Sequence, residues 1–161
     1  MKADRAVQHA FVDLVDFQHA HLAELVPMWR ASFEAALGIV DPHPIADQQQ
    51  YFLEQVLPAH AVRVAWSGQQ LVGFVAASAD SVAQLHVRVG HQRRGFGGAM
   101  LEWAKRQSGG QLWLYTFARN RNACEFYEHN GFVAVARGFE PTWQLDDVKY
   151  HWSASPHNGP S

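Results

Sequence analysis

The chain holds a single cysteine, Cys124, in 161 residues, so no disulfide can close within it. Charged side chains are sparse at 17%, and their signs nearly balance at a net charge of −2 with histidine neutral. That balance excludes the global basic field that draws a protein onto nucleic acid. Long hydrophobic runs are missing too, and nothing approaches the roughly 20 apolar residues of a membrane-spanning helix. Met1 to Ala10 is polar and contains no apolar signal core, so the expectation is a soluble cytoplasmic protein without a membrane partner. Metal-ligand spacing is also lacking, because His19 and His21, two residues apart, would face apart on a helix. The length fits one domain over residues 1–152. Ser153 to Ser161, short, polar and rich in Pro and Gly, reads as a disordered tail.

What is present is a change of hydrophobic period along the chain. Phe11-Val12 reads as a short strand. Leu22, Leu25, Val26, Trp29, Phe33 and Leu37 then recur at helical spacing, with Gly38 as the stop. Pro27 lacks an N–H and clashes with the preceding turn, which predicts a kink or break. After a loop over 41–46, Asp47 caps a second helix through Leu57, with Tyr51, Phe52 and Val56 as its apolar stripe and Pro58 ending it. Strands follow: Val62, Val64 and Trp66 alternate, then come Leu71 to Ala77 and Val82 to Val89. A helix over about 97–107 stops at Gly109-Gly110. Leu112 to Phe117 is a strand of buried type, Ala123 to Asn130 a short helix, and Phe132 to Ala136 and Val148 to Trp152 the last strands. Several strands precede the first central helix, so the fold class is α/β (α+β), a mixed sheet with helices on both faces.

Gln92-Arg93-Arg94-Gly95-Phe96-Gly97-Gly98-Ala99 is the most informative stretch. An apolar strand precedes it and helix-forming sequence follows. A strand, a glycine-rich turn and a helix N-terminus bring unpaired amides and the helix dipole to one spot, which suits a phosphate or pyrophosphate. A dinucleotide fingerprint would need glycine where Met100 stands, and a Walker loop would need a lysine that is absent. A second element, Asn120 to Phe132, sets Ala123, Phe126, Tyr127 and Asn130 on one helix face. Either element alone could serve only packing. Cys124 lies off that face, and His129 is not placed to activate it, so the thiol reads as a packing group.

Together, in this order, the two elements resemble the GNAT family of N-acetyltransferases. The resemblance rests on Gln92-Arg93-Arg94-Gly95-Phe96-Gly97, on Leu85-His86-Val87 before it, and on Asn120, Ala123, Phe126-Tyr127 and Gly131-Phe132. It covers about residues 61–152. It implies a mostly antiparallel sheet of about six to seven strands, splayed between its two central ones. It implies acetyl-CoA as co-substrate and no metal. The pyrophosphate would lie on Gln92, Arg93, Arg94, Gly95, Phe96, Gly97 and Gly98. Pantetheine would run along Leu85, His86 and Val87, near Asn120, Ala123, Phe126 and Tyr127. Tyr127 would protonate the departing thiolate, and a backbone N–H near Val87 would hold the oxyanion.

The acceptor implied is a small-molecule or peptide amine, with Trp29, Phe33, Tyr51 and Phe117 as candidate lining, and a homodimer is left open. The acceptor amine, with a pKa of about 10.4 if lysine-like, must lose a proton before attack. Some family members carry a glutamate base on the strand before the loop, but Ser81 stands there and no Asp or Glu occurs from Ser81 to Met100. His86 is predicted to point to the opposite strand face as a structural group. Glu34, Asp41 and His43 are the other candidate bases. A non-catalytic acyl-CoA-binding module is the alternative reading.

Overall fold

Strand pairing begins near the N-terminus and sets the first layer. The computed structural model describes residues 12–154. Strands β1 (Asp13–Asp16), β2 (Ala61–Ser67), β3 (Gln70–Ala77) and β4 (Val82–Val87) form one antiparallel sheet in that order. Strands β5 (Gln111–Phe117), β6 (Val133–Glu140) and β7 (Leu145–Ser153) form a second, in the order β5-β7-β6. The two sheets meet at a parallel bridge from Ser81 to Trp113, beyond which β4 and β5 diverge. That divergence is the splay expected between the central strands. Phe11 lies outside the described residues. The first strand begins at Asp13, because pairing with β2 from Asp13–Trp66 to Asp16–Arg63 decides its extent.

Four α-helices cover the sheets: α1 (Leu22–Leu37), α2 (Ile45–Tyr51), α3 (Phe96–Gln107) and α4 (Arg121–His129). Pro27 does not break α1, contrary to expectation. A proline inside a helix costs roughly 3 kcal/mol, but Leu25, Val26, Met28 and Trp29 around it are all buried against the first sheet. Their burial keeps the helix continuous across the proline. Gly38 ends the helix at φ 67°, its N–H on the Glu34 carbonyl at 2.8 Å. Helix α2 starts two residues before the expected Asp47 cap: Pro44 takes that position, and its carbonyl accepts the Asp47 N–H at 3.1 Å. The chain then widens through a π-helical turn, Phe52–Val56, and tightens in a 3₁₀ turn, Leu57–Ala59. The changed period buries Phe52 and Val56 but leaves Tyr51 50% exposed.

Two cores result. Helices α1 and α2 close one face of the first sheet over Leu25, Phe52, Val64 and Phe74. Helices α3 and α4 close the other side over Val75, Met100, Leu112, Leu114 and Tyr150, spanning both sheets. Gly73 of β3 lets Met100 of α3 lie close over that strand. A Cβ there would lie 2.8 Å from the His86 carbonyl oxygen and 2.9 Å from Met100 Cε. The β6–β7 hairpin is longer than its apolar pattern predicts, running out through Gly138–Asp147 and Glu140–Leu145 pairs that have no alternation to read. Ser153 belongs to β7, and residues 155–161 of the expected tail lie outside the described ones. No described helix is long and apolar enough to cross a membrane.

Candidate active site

The loop from Arg88 to Gly95 turns on three left-handed residues, Gly90 at φ 92°, Arg93 at φ 62° and Gly95 at φ 93°. Gly95 precedes α3, and no side chain caps that helix. The first amide of this end with a helical partner is Ala99, on the Gly95 carbonyl at 3.0 Å. The N–H groups of Phe96, Gly97 and Gly98 are therefore open, at the positive end of the helix dipole. Gln92, Arg93, Gly95, Gly97 and Gly98 line one end of a cleft of about 2040 Å³. Arg94 is exposed outside that lining. The Phe96 ring packs into the α3 core and against His91, 6.3 Å between centroids, so at this position only the backbone faces the loop's concavity.

Register decides what β4 offers. Arg88 N–H donates to the Val72 carbonyl at 2.7 Å, and Gly73 sits opposite Val87. Antiparallel pairing alternates, so His86 and Gln84 bond to β3, while the N–H and C=O groups of Leu85 and Val87 point the other way, into the splay. Gln92 Nε2, 3.5 Å from the Val87 carbonyl, reaches the same edge. Strand β5 behaves likewise: Trp113 N–H reaches the Asp80 carbonyl at 2.9 Å, which turns the Tyr115 amide toward β4. Two strand edges with open peptide groups thus face each other across a gap.

Helix α4 supplies the gap's other wall. Asn120 caps it, Oδ1 accepting the Ala123 N–H at 3.1 Å, so the carbonyl oxygen of this residue is used within the protein. Asn120, Ala123, Phe126 and Tyr127 all line the cleft. A Cβ on Gly97 would touch Phe126 Cζ at 3.4 Å and Val87 Cγ2 at 3.7 Å, so the loop, β4 and α4 converge on that glycine. The Tyr127 ring is buried among Phe126, Phe132 and Tyr150, at 5.2, 5.6 and 6.1 Å. Burial, with Cys124 beside it, pushes its phenol well above the ordinary tyrosine range, so it stays protonated. Tyr150 anchors the cluster by donating to Glu128 at 2.6 Å. Cys124 donates weakly to the Phe117 carbonyl, 3.8 Å away, and packs against the core.

His86 lies on the face of β4 opposite Leu85 and Val87, as its alternation predicts, and is half-buried in the cleft lining. Its ring stacks on Phe74 at 5.5 Å, lies 5.8 Å from Trp29, and its Nε2 is 2.9 Å from Gln84 Oε1. Burial disfavours the imidazolium and lowers its pKa from 6.5 to about 4. The unfolded chain therefore takes up this proton first on acidification, and the fold loses stability as pH falls from about 6.5 toward about 4. By pH 5 that loss is about 2 kcal/mol. His86→Phe should remove it: between pH 7 and pH 5 the urea midpoint of the variant should fall less than that of the parent. Parallel falls would show that His86 is not held neutral.

Ser81 is buried and shares a 2.7 Å contact between its Oγ and that of Ser78, so this position offers no base. Among the other candidates, Glu34 accepts the Asp41 N–H at 2.7 Å, and Asp41 is held below its usual range by His43 and Arg30 despite its partial burial. His43 Nδ1 lies 2.6 Å from Asp41 Oδ1, which leaves the other ring nitrogen of His43 without a partner among the described residues. Trp29, Phe33, Tyr51 and Phe117 line the same cleft as the loop and β4. Sequence reasoning missed Trp143. It stands in the β6–β7 turn, 110 positions after Phe33, yet the two rings lie 5.0 Å apart.

Residues 58–134 match the family model for the acetyltransferase (GNAT) domain. The chain carries a GNAT acetyltransferase domain. No curated protein is similar to it in sequence. Among solved structures, it resembles a GCN5-related N-acetyltransferase from Rhodopseudomonas palustris, with 19% identity, a TM-score of 0.76 and coverage of 88% of this chain and 95% of that one. It also resembles the PaiA N-acetyltransferase of Thermoplasma acidophilum in complex with coenzyme A, at 15% identity and TM-score 0.69 over 88% and 98% of the two chains. The putative acetyltransferase YncA of Salmonella typhimurium, with its cofactor acetyl-CoA, follows at 16% identity and TM-score 0.67 over 93% and 98%. At such identities the likeness is one of fold. The matched segment of the GNAT domain holds the loop, both splayed strands and α4. Helix α1, Tyr51 and Trp143, which also line the cleft, lie outside it.

Proposed function

We propose that this GNAT domain transfers an acetyl group from acetyl-CoA to a primary amine by direct attack in a ternary complex. The observation that carries the reading is the meeting, in one cleft, of open amides on the loop and on β4 with the buried, protonated phenol of Tyr127. Uncapped amides of α3, with Arg93 beside them, suit a pyrophosphate. The open edge of Leu85 and Val87 suits the amides of pantetheine, paired as an added strand would be. The Val87 N–H would polarise the thioester carbonyl and hold the oxyanion. The amine nitrogen forms the new C–N bond, the C–S bond breaks, and the proton lost by nitrogen ends on sulfur. His43, oriented by Asp41, is the base that the geometry leaves free to receive it first. Holding both reactants in place supplies much of the rate.

Incubation with acetyl-CoA and a panel of amines, following thiol release, tests this. Release that depends on amine is the expected result. Tight acetyl-CoA binding with no amine-dependent release would make the domain an acyl-CoA-binding module instead.

A further inference from the structure

The acceptor end of the cleft is walled by rings from four elements: Trp29 and Phe33 of α1, Tyr51 of α2, Phe117 of β5 and Trp143 of the β6–β7 turn. Several of them keep surface to offer, since Tyr51 is 50% exposed and Phe33, Phe117 and Trp143 are half-buried. Phe33 lies 5.0 Å from Trp143 and 6.4 Å from Phe117, and the His43 ring is 5.9 Å from Trp143. The Phe33–Trp143 contact joins α1 to the hairpin turn across this end, in the way of a long chain.

The charge at this end is mostly negative. Asp41, Asp47, Glu140 and Asp147 line it, against one guanidinium, Arg30. Arg30 is already engaged: its Nε lies 3.5 Å from Asp41 Oδ2 and donates to Gln48 at 2.9 Å, and its Nη1 donates to the Asp41 carbonyl at 3.4 Å. Its Nη2 is buried without a partner among the described residues. Asp47, Glu140 and Asp147 have no lysine or arginine within ion-pair distance among the described residues. The backbone N–H of Trp143, donating to Glu140 at 2.7 Å, holds that carboxyl below its usual range and keeps it ionised.

We infer that the acceptor is a compact primary amine carried on an aromatic or bulky apolar body, with no carboxylate of its own; this rests on the acetyl transfer proposed above. The rings take the apolar body and meet the ammonium over their faces. The carboxylates concentrate the cation near His43 and repel an anion. A free amino acid would set its carboxylate against Glu140 and Asp147. A polyamine would leave the rings unfilled, and a peptide would have to part Trp143 from Phe33.

The test compares phenethylamine, phenylalanine, spermidine and a peptide beginning with phenylalanine in the thiol-release assay, with calorimetry of each on the CoA-loaded protein. The kcat/KM for phenethylamine should exceed that of each other amine at least about ten-fold. Trp143→Ala should raise KM for phenethylamine about ten-fold and leave KM for acetyl-CoA within about two-fold. A higher kcat/KM for phenylalanine, spermidine or the peptide overturns this inference and leaves acetyl transfer standing. No release with any amine, but phenethylamine binding that Trp143→Ala weakens, removes the transfer reading and overturns the acceptor role, leaving the ring-walled end as a binding site for such an amine. Phenethylamine that neither reacts nor binds overturns it.

Discussion

Tyr127→Phe should lower turnover with acetyl-CoA and an active amine by about 10²- to 10⁴-fold, the usual range for loss of a positioned proton donor. The ring is held on three sides by Phe126, Phe132 and Tyr150, so phenylalanine keeps the packing and removes one oxygen. Acetyl-CoA affinity, measured by calorimetry, should change less than about two-fold, because the lost interaction belongs to the transition state. Burial raises the phenol, while a thiol titrates near 8.5. Complete transfer of the tyrosine proton to a free thiolate is therefore uphill. The role that fits is a hydrogen bond that strengthens as charge grows on sulfur, while Tyr127 keeps its proton and the one lost by the amine ends on the thiolate. One consequence is visible in the pH profile: no alkaline limb from Tyr127 should appear below about pH 10. Unchanged turnover in Tyr127→Phe would remove the residue from the chemistry.

How far the site was legible depended on how local each signal is. The Gln92–Ala99 loop and the Asn120–Phe132 segment are continuous stretches whose chemistry is carried by neighbours in sequence. Both read correctly as a strand–turn–helix and a short helix from residue type alone. The open Val87 amide could not be read this way. Its direction depends on pairing with Gly73 and on the absence of a partner from β5, both properties of the assembled sheets. Trp143 was illegible for a related reason. The outer hairpin around Arg137, Gly138, Asp146 and Asp147 has no apolar alternation, so nothing in the chain announces that it carries a ring back to Phe33. Pro27 misled in the other direction. A local rule predicted a break, and buried contacts on both sides of it prevailed. The ring-walled end of the cleft is assembled from such non-local pieces, so the chain offered four of its rings as candidates and gave no sign of the fifth, Trp143.

Gly97→Leu should weaken CoA binding by about 10- to 100-fold, the loss expected when one or two charge-assisted hydrogen bonds from the loop amides to a phosphate are blocked. Gly97 has no left-handed backbone to protect, so the substitution acts through space and not through φ strain. A Cβ there meets Phe126 Cζ at 3.4 Å, an ordinary contact, whereas the branched end of leucine must enter either the Phe126–Val87 wall or the loop's concavity. Gly97→Ala separates these effects. Alanine adds only the tolerated atom, so its affinity should stay within a few-fold of the parent, and both variants should keep the parent's far-UV dichroism. Wild-type affinity in a folded Gly97→Leu protein would mean that the pyrophosphate does not approach these amides. The loop would then be a packing device that brings α3 against β4, and the co-substrate would need another site.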